Sequence, residues 1–118
     1  MKRTLALACL AALLPGAAHA ACTVSKWGFA FGRETSAQMK TDGAECRSTV
    51  AWTRGAVEVQ AVAISSAARN GSAAVSGTTV TYTPTAGFKG ADAFAFTITG
   101  RKNGRPAAAT VRVAVTVQ

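Results

Sequence analysis

Two cysteines, a few carboxylates and a scatter of cations are the residues of this 118-residue chain whose types and spacing could do chemistry. The one histidine, His19, lies in a segment that carries the marks of an export leader. Lys2 and Arg3 form a basic start, ten apolar residues follow at 5–14, and Pro15-Gly16 breaks the run. Ala18-His19-Ala20 then supplies the small-x-small pattern of a signal-peptidase site, which predicts cleavage before Ala21. Residues 21–118 would then hold no histidine, which removes Ser-His-Asp triads, Cys-His dyads and His-based metal sites together. No G-x-S-x-G or phosphate-cradling glycine motif is present. Glu34, Asp42 and Glu45 could supply a carboxylate pair for glycosidic chemistry. They stand in turn-rich polar sequence, however, where solvated surface charge is the default. The expectation is a non-enzymatic protein with no catalytic residues, no cofactor and no metal.

Cys22 and Cys46 remain as an even pair beyond the leader. In an oxidising compartment such a pair forms a disulfide, and closing a loop of about 25 residues stabilises by roughly 3 kcal/mol in the chain-entropy account. The competing reading is a lipid anchor on Cys22, against which stands His19, where a bacterial lipobox wants an aliphatic residue. Ten apolar residues are too few to span the roughly 30 Å hydrocarbon core as a helix, so the expected protein is not membrane-spanning and is periplasmic or extracellular.

Removing Lys2 and Arg3 leaves eleven Lys and Arg against five Asp and Glu, a net charge of +6. Arg101, Lys102 and Arg105 crowd one polar segment, while Arg69 and Lys89 stand in others. If these segments share one end of the fold, they form a positive patch for an anionic partner: lipopolysaccharide, an acidic glycan or a negatively charged protein. The plainer reading is that +6 keeps a small domain soluble and guards its strand edges. Specific nucleic-acid binding is not expected, because these segments lack aromatics for base stacking. Trp27 in the WGFAF run is core or an exposed contact, and Trp52 is expected in the core.

The elements that must position these residues read as strands. Trp27, Phe29 and Phe31 alternate with small residues, which predicts a strand near 25–32. Residues 35–40 read as one helical turn, stopped by Thr41-Asp42-Gly43. Strands are predicted at 47–53 and 57–64, the latter with its apolar positions switching face between 59 and 62, as a bulge or burial on both faces would cause. Arg69-Asn70-Gly71 reads as a turn suited to positive φ, and Ser76-Gly77 as the turn of a hairpin. The run VTYTPTAGFKGADAFAFTIT at 80–99 is two alternating strands around a Pro/Gly-rich connection. Residues 100–106 form a polar turn, and Val111, Val113, Val115 and Val117 line one face of a last strand. Seven or so short strands with Gly/Pro turns spell an all-β sandwich.

At 70–117 the pattern is more specific. Tyr82-x-Pro84, the Gly87-Phe88-x-Gly90-x-Asp92 stretch, Phe94 and the terminal valine alternation fall at the spacings of bacterial Ig-like domains of the cadherin-like tandem-repeat type, which this half of the chain resembles. The resemblance implies a Greek-key, Ig-like antiparallel β-sandwich of about seven strands, as one domain over 21–118. It also implies scaffold roles for the motif. Pro84 ends a strand, Gly87 and Gly90 permit a tight crossover, Phe88 folds inward, and Asp92 accepts backbone N–H bonds at a corner. The resemblance also implies Asp-rich segments between repeats, able to bind Ca²⁺, and an acidic Thr-Asp-Gly after the second strand of the motif. Here Thr99-Gly100-Arg101 stands where that acid would be, and five scattered carboxylates cannot supply the six to eight oxygens Ca²⁺ prefers. The implied role is binding or structure at the bacterial cell envelope, with an anionic envelope component or an unidentified protein as partner. The alternatives are an inhibitor or accessory subunit of a periplasmic or secreted protein, and a small hydrolase.

Overall fold

A computed structural model describes residues 21–50 and 56–118. Its eight strands are β1 (Cys22–Val24), β2 (Glu34–Thr41), β3 (Cys46–Thr49), β4 (Val57–Ser66), β5 (Gly71–Ser76), β6 (Thr79–Pro84), β7 (Gly90–Lys102) and β8 (Arg105–Val117). They form two sheets, a five-stranded one in the order β1-β2-β8-β7-β4 and a three-stranded one in the order β3-β6-β5. Pairing is antiparallel except between β2 and β8, which run parallel from Glu34↔Thr110 to Thr41↔Val117. This is an Ig-like sandwich: the β5–β6 and β7–β8 hairpins each stay within a sheet, and the other connections after β3 cross between sheets.

Period-two patterning drives the core. Phe94, Phe96 and Ile98 of β7 and Val111, Val113, Val115 and Val117 of β8 are all buried, facing Val80 and Tyr82 from the other sheet. Tyr82 stacks on Phe94 with ring centroids 5.7 Å apart. In β4 the face switch comes from a bulge, one of the two causes open from the sequence, and not from burial on both faces. A register shift between Val59 and Ala61 inserts one extra residue, so Val57, Val59, Val62 and Ile64 all turn inward while Glu58, Gln60, Ala61 and Ala63 stay exposed.

Two expectations at the N-terminal side are corrected. Residues 35–40 are not a helical turn but most of β2, with Ala37 and Met39 buried and Ser36, Gln38 and Lys40 exposed. Ala, Gln, Met and Lys favour helix in isolation, but a full-length ladder with β8 outweighs preferences of a few tenths of a kcal/mol, roughly, per residue. Residues 25–32 are not a strand. Only Val24 and its two predecessors pair with β2, and the chain then leaves the sheet edge. Trp27, Phe29 and Phe31 still alternate, half-buried, because they pack against the core from its open side. The strand expected over 47–53 is seen at Cys46–Thr49; Val50 is buried but lies past the strand's end, and residues 51–53, with Trp52, lie outside the described residues.

Asp92 ties the two sheets together. Its carboxylate accepts hydrogen bonds from the Tyr82 hydroxyl of β6 (2.8 Å), from the Arg69 and Asn70 amides of the β4–β5 connection (3.0 Å each), and from the Ala93 amide (2.8 Å). The corner it holds is therefore the β4–β5 crossover as well as its own. Asn70-Gly71 is not a positive-φ turn, which corrects that expectation. Gly71 opens β5 in extended backbone, and a Cβ there would lie 2.7 Å from the Tyr82 hydroxyl. Glycine is needed for the close approach, not for the turn. Pro84 ends β6, Gly87 and Gly90 take positive φ, and Phe88 packs half-buried against the core.

Burial pushes the Asp92 carboxyl up, and the bonds from Ala93, Tyr82, Arg69 and Asn70 together outweigh it, holding the group below its ordinary range. Burial, followed by the bond to Asp92, pushes the Tyr82 phenol up. Because the folded carboxyl titrates lower than the unfolded one, its stabilisation is complete above the unfolded pKa near 4 and is lost as pH falls through the folded value. Tyr82→Phe is expected to cost about 1.5–3 kcal/mol at neutral pH, the worth of a hydrogen bond to a charged group, measured by urea unfolding. Asp92→Asn should be less stable at pH 7 and show a flatter decline in stability between pH 5 and about pH 2. An unchanged acid limb would remove Asp92 from that role.

Candidate functional site

The β7–β8 hairpin carries the densest cationic cluster. It closes through a two-residue turn, Asn103-Gly104, with φ of 54° and 75°. Both central residues therefore take the left-handed region, the arrangement whose twist matches the flanking strands and which Asn-Gly tolerates best. Lys102 pairs with Arg105 and Arg101 with Pro106, so the strands run to the very tip. The tip is held down by the Asn103 amide, which donates to the Ala56 carbonyl, and by Arg101, whose Nη1 donates to the Gly104 carbonyl at 3.0 Å.

The pleat then divides the cations. Lys102 and Arg105 share the parity of Ile98 and Ala109, the inward face, and project beyond the end of the core. Arg101 shares the parity of Thr99 on the outer face, where Glu58 of β4 is its cross-strand neighbour. Beside Lys102 and Arg105 lies a shallow cleft of about 630 Å³ lined by Phe31, Gly32, Asn103 and residues 106–108. Phe31 reaches it because residues 25–33 cross the open side of the sandwich. The Gly32 amide donates to the Ala108 carbonyl and the Thr110 amide to the Arg33 carbonyl. A Cβ on Gly100 would overlap the Glu58 carbonyl and lie 3.1 Å from the Phe31 ring. Gly100 thus sits where no side chain fits.

Arg69 and Lys89 are not part of this cluster. They flank the opposite end of β7, whose 13 residues span roughly 40 Å. The five cations form two separate groups, because antiparallel strands put alternate connections at opposite ends. Arg33, exposed next to Gly32, joins the hairpin end instead. Nothing in the sequence around Arg33 signals that, since its neighbour β8 lies over seventy residues away.

Cys22 and Cys46 form a disulfide with Cα atoms 5.4 Å apart, which leaves no thiol on Cys22 for a lipid anchor. It joins β1, at the edge of one sheet, to β3 of the other. Trp27 packs edge-on against Phe96 (5.6 Å) and its Nε1 donates to Ser48 Oγ (3.1 Å), so it belongs to the core side. The disulfide and this indole contact bracket the N-terminal segment. Of the acids, Glu34 pairs with Arg112 and Glu45 with Arg47. Glu34 and Asp42 stand at opposite ends of β2, roughly 25 Å apart, beyond the about 5–10 Å a glycosidase pair requires. Among the described residues no three His, Cys, Asp or Glu side chains gather as a metal site, and no helix is long and apolar enough to cross a membrane.

Residues 34–116 match the bacterial Ig domain. The chain belongs to this family. The match runs from the first residue of β2 into the last turn of side chains of β8, so a single bacterial Ig domain accounts for seven strands. Its reach is wider than the resemblance legible at 70–117, and it leaves β1 and the aromatic segment outside. No curated protein matches the chain. Membership points to a structural or binding module, since Ig domains of this kind are generally non-enzymatic and often surface-exposed. Because the disulfide fastens the segment that precedes the Ig domain, Cys22→Ala with Cys46→Ala should lower stability by roughly 3 kcal/mol in urea titrations and speed proteolysis within 21–33. Equal stability with and without the bridge would show that aromatic packing alone retains that segment.

Proposed function

We propose that this bacterial Ig domain is an exported, non-enzymatic binding module of the cell envelope whose hairpin end engages an anionic envelope component. The observation that carries this is the concentration of Lys102 and Arg105 on the lip of a cleft with Phe31 beside it, with Arg101 and Arg33 close by. Loops at a sandwich end are the usual place for binding residues, because the sheets beneath them are rigid. Glu58 and Glu34 are the acids nearest this end, and Glu34 is engaged with Arg112. The end therefore keeps a positive surplus that attracts negative charge and is screened by salt. Export is supported by the leader-like residues 1–20 and by the disulfide, which persists in oxidising compartments.

The test is retention of the folded domain on isolated envelopes and on an immobilised acidic polysaccharide, at low and high salt. Lys102→Glu with Arg105→Glu is expected to reduce retention at low salt by tenfold or more. Arg69→Glu with Lys89→Glu, at the far end, should change it little. Retention indifferent to salt and to both pairs would sink the reading.

A further inference from the structure

We infer that Asp42 is a receptor for the α-ammonium group created when the Ala20–Ala21 bond is cut; the inference rests on the export reading above. Asp42 grips Ala21 at both ends. Its Oδ1 accepts from the Ala21 nitrogen at 2.5 Å, and its own amide donates to the Ala21 carbonyl at 3.2 Å. Asp at a turn usually accepts from amides a residue or two on. Here the carboxylate instead reaches back 21 residues.

The turn that presents Asp42 does not need its carboxylate. Thr41 is buried, and its hydroxyl donates to the Ala44 carbonyl (2.7 Å) and accepts from the Gly43 amide (3.1 Å). The Thr41 carbonyl is taken by the Gln118 amide. Among the described residues Asp42 pairs with no cation. The two ion pairs among the described residues use Glu45 with Arg47 and Glu34 with Arg112. The nitrogen it faces is equally fixed, because Cys22 pairs with Thr41 and is bonded to Cys46.

In the uncut chain the Ala21 nitrogen is an amide with one hydrogen and no charge. Hydrolysis breaks the Ala20–Ala21 C–N bond. Water supplies the hydroxyl to the Ala20 carboxyl and a proton to the Ala21 nitrogen, which takes a further proton from solvent at neutral pH, its ordinary pKa being about 8. The same 2.5 Å contact then becomes a charge-assisted bond between unit charges. Position 21 is singled out. A cut one residue later would delete both contacts, and a cut one residue earlier would leave the amide in place. Processing thus completes the N-terminal edge at the end of the sandwich that also holds Gln118, opposite the cationic hairpin.

The full chain is expressed in a secreting host, and the purified protein is weighed intact. A second form carries a Gly-Ser extension before Ala21, and Asp42→Asn is made in each. The expected result is a mass beginning at Ala21, with Asp42→Asn lowering the melting temperature by a few degrees in the processed form and by less than one degree in the extended form. The terminal amine, followed by NMR, should titrate above about 8 and return toward that value in Asp42→Asn. A mass beginning elsewhere overturns the processing reading. The correct mass with equal Asp42→Asn effects in both forms, or an unshifted amine, overturns the capture of the terminus alone.

Discussion

One carboxylate with four hydrogen bonds joins the layers of this sandwich. Asp92 belongs to the five-stranded sheet, Tyr82 to the three-stranded one, and residues 69 and 70 to the chain passing between them. Hydrophobic contact holds the sheets together without direction, so it does not by itself set how one sits over the other. The Asp92 bonds do, because each has a fixed length and angle. Around that point the Tyr82 ring lies flat on Phe94, and Gly71 must lack a side chain to let the tyrosine pass. Tyr82, Gly71 and Asp92 thus meet at one corner.

The two ends of the sandwich consequently do different work. The clamp, the β6–β7 crossover and Lys89 occupy one end, where Asp92 engages Tyr82 and the backbone amides of the β4–β5 connection. The other end is a long hairpin finishing in a two-residue turn, with Lys102 and Arg105 exposed and Arg101 bonded to the Gly104 carbonyl. Segment 25–33 connects the regions along the open side of the sandwich. It is anchored by a disulfide at its start and by Trp27 against Phe96, and it delivers Phe31 to the hairpin cleft. A segment outside the Ig domain match therefore supplies the aromatic wall of the cleft.

Legibility in the sequence followed how local the cause was. The central parts of β5 to β8 could be read because their alternation is written in consecutive residues, although residues 100–102 and 105–106, read as a turn, belong to β7 and β8. The β4 phase change showed a switch of face but did not choose between a bulge and burial on both faces. The Cys22–Cys46 bridge was legible because residues 21–118 hold only two cysteines. Strand β2 was misread because residues 35–40 have helical propensity, while the partner that makes them a strand lies some seventy-five residues on. Residues 25–32 were misread because alternation looks the same whether a chain pairs in a sheet or folds aromatics over an edge. For the site, cations crowded on one turn were visible. Their division by the pleat, the remoteness of Arg69 and Lys89, and the addition of Arg33 were not.

The sequence by itself determined the class of fold, the inward faces of the later strands and the excess of positive charge. These follow from periodicity and side-chain chemistry, which act over a few residues. Only the tertiary structure decided which strands are neighbours, that β2 runs parallel to β8, which amides Asp92 receives, and which cations share an end. Those are settled by closing long loops and burying faces against one another, and no local pattern encodes the partner. Asp42 shows the difference most simply: in sequence it is a turn residue, and in the fold it holds the backbone of Ala21.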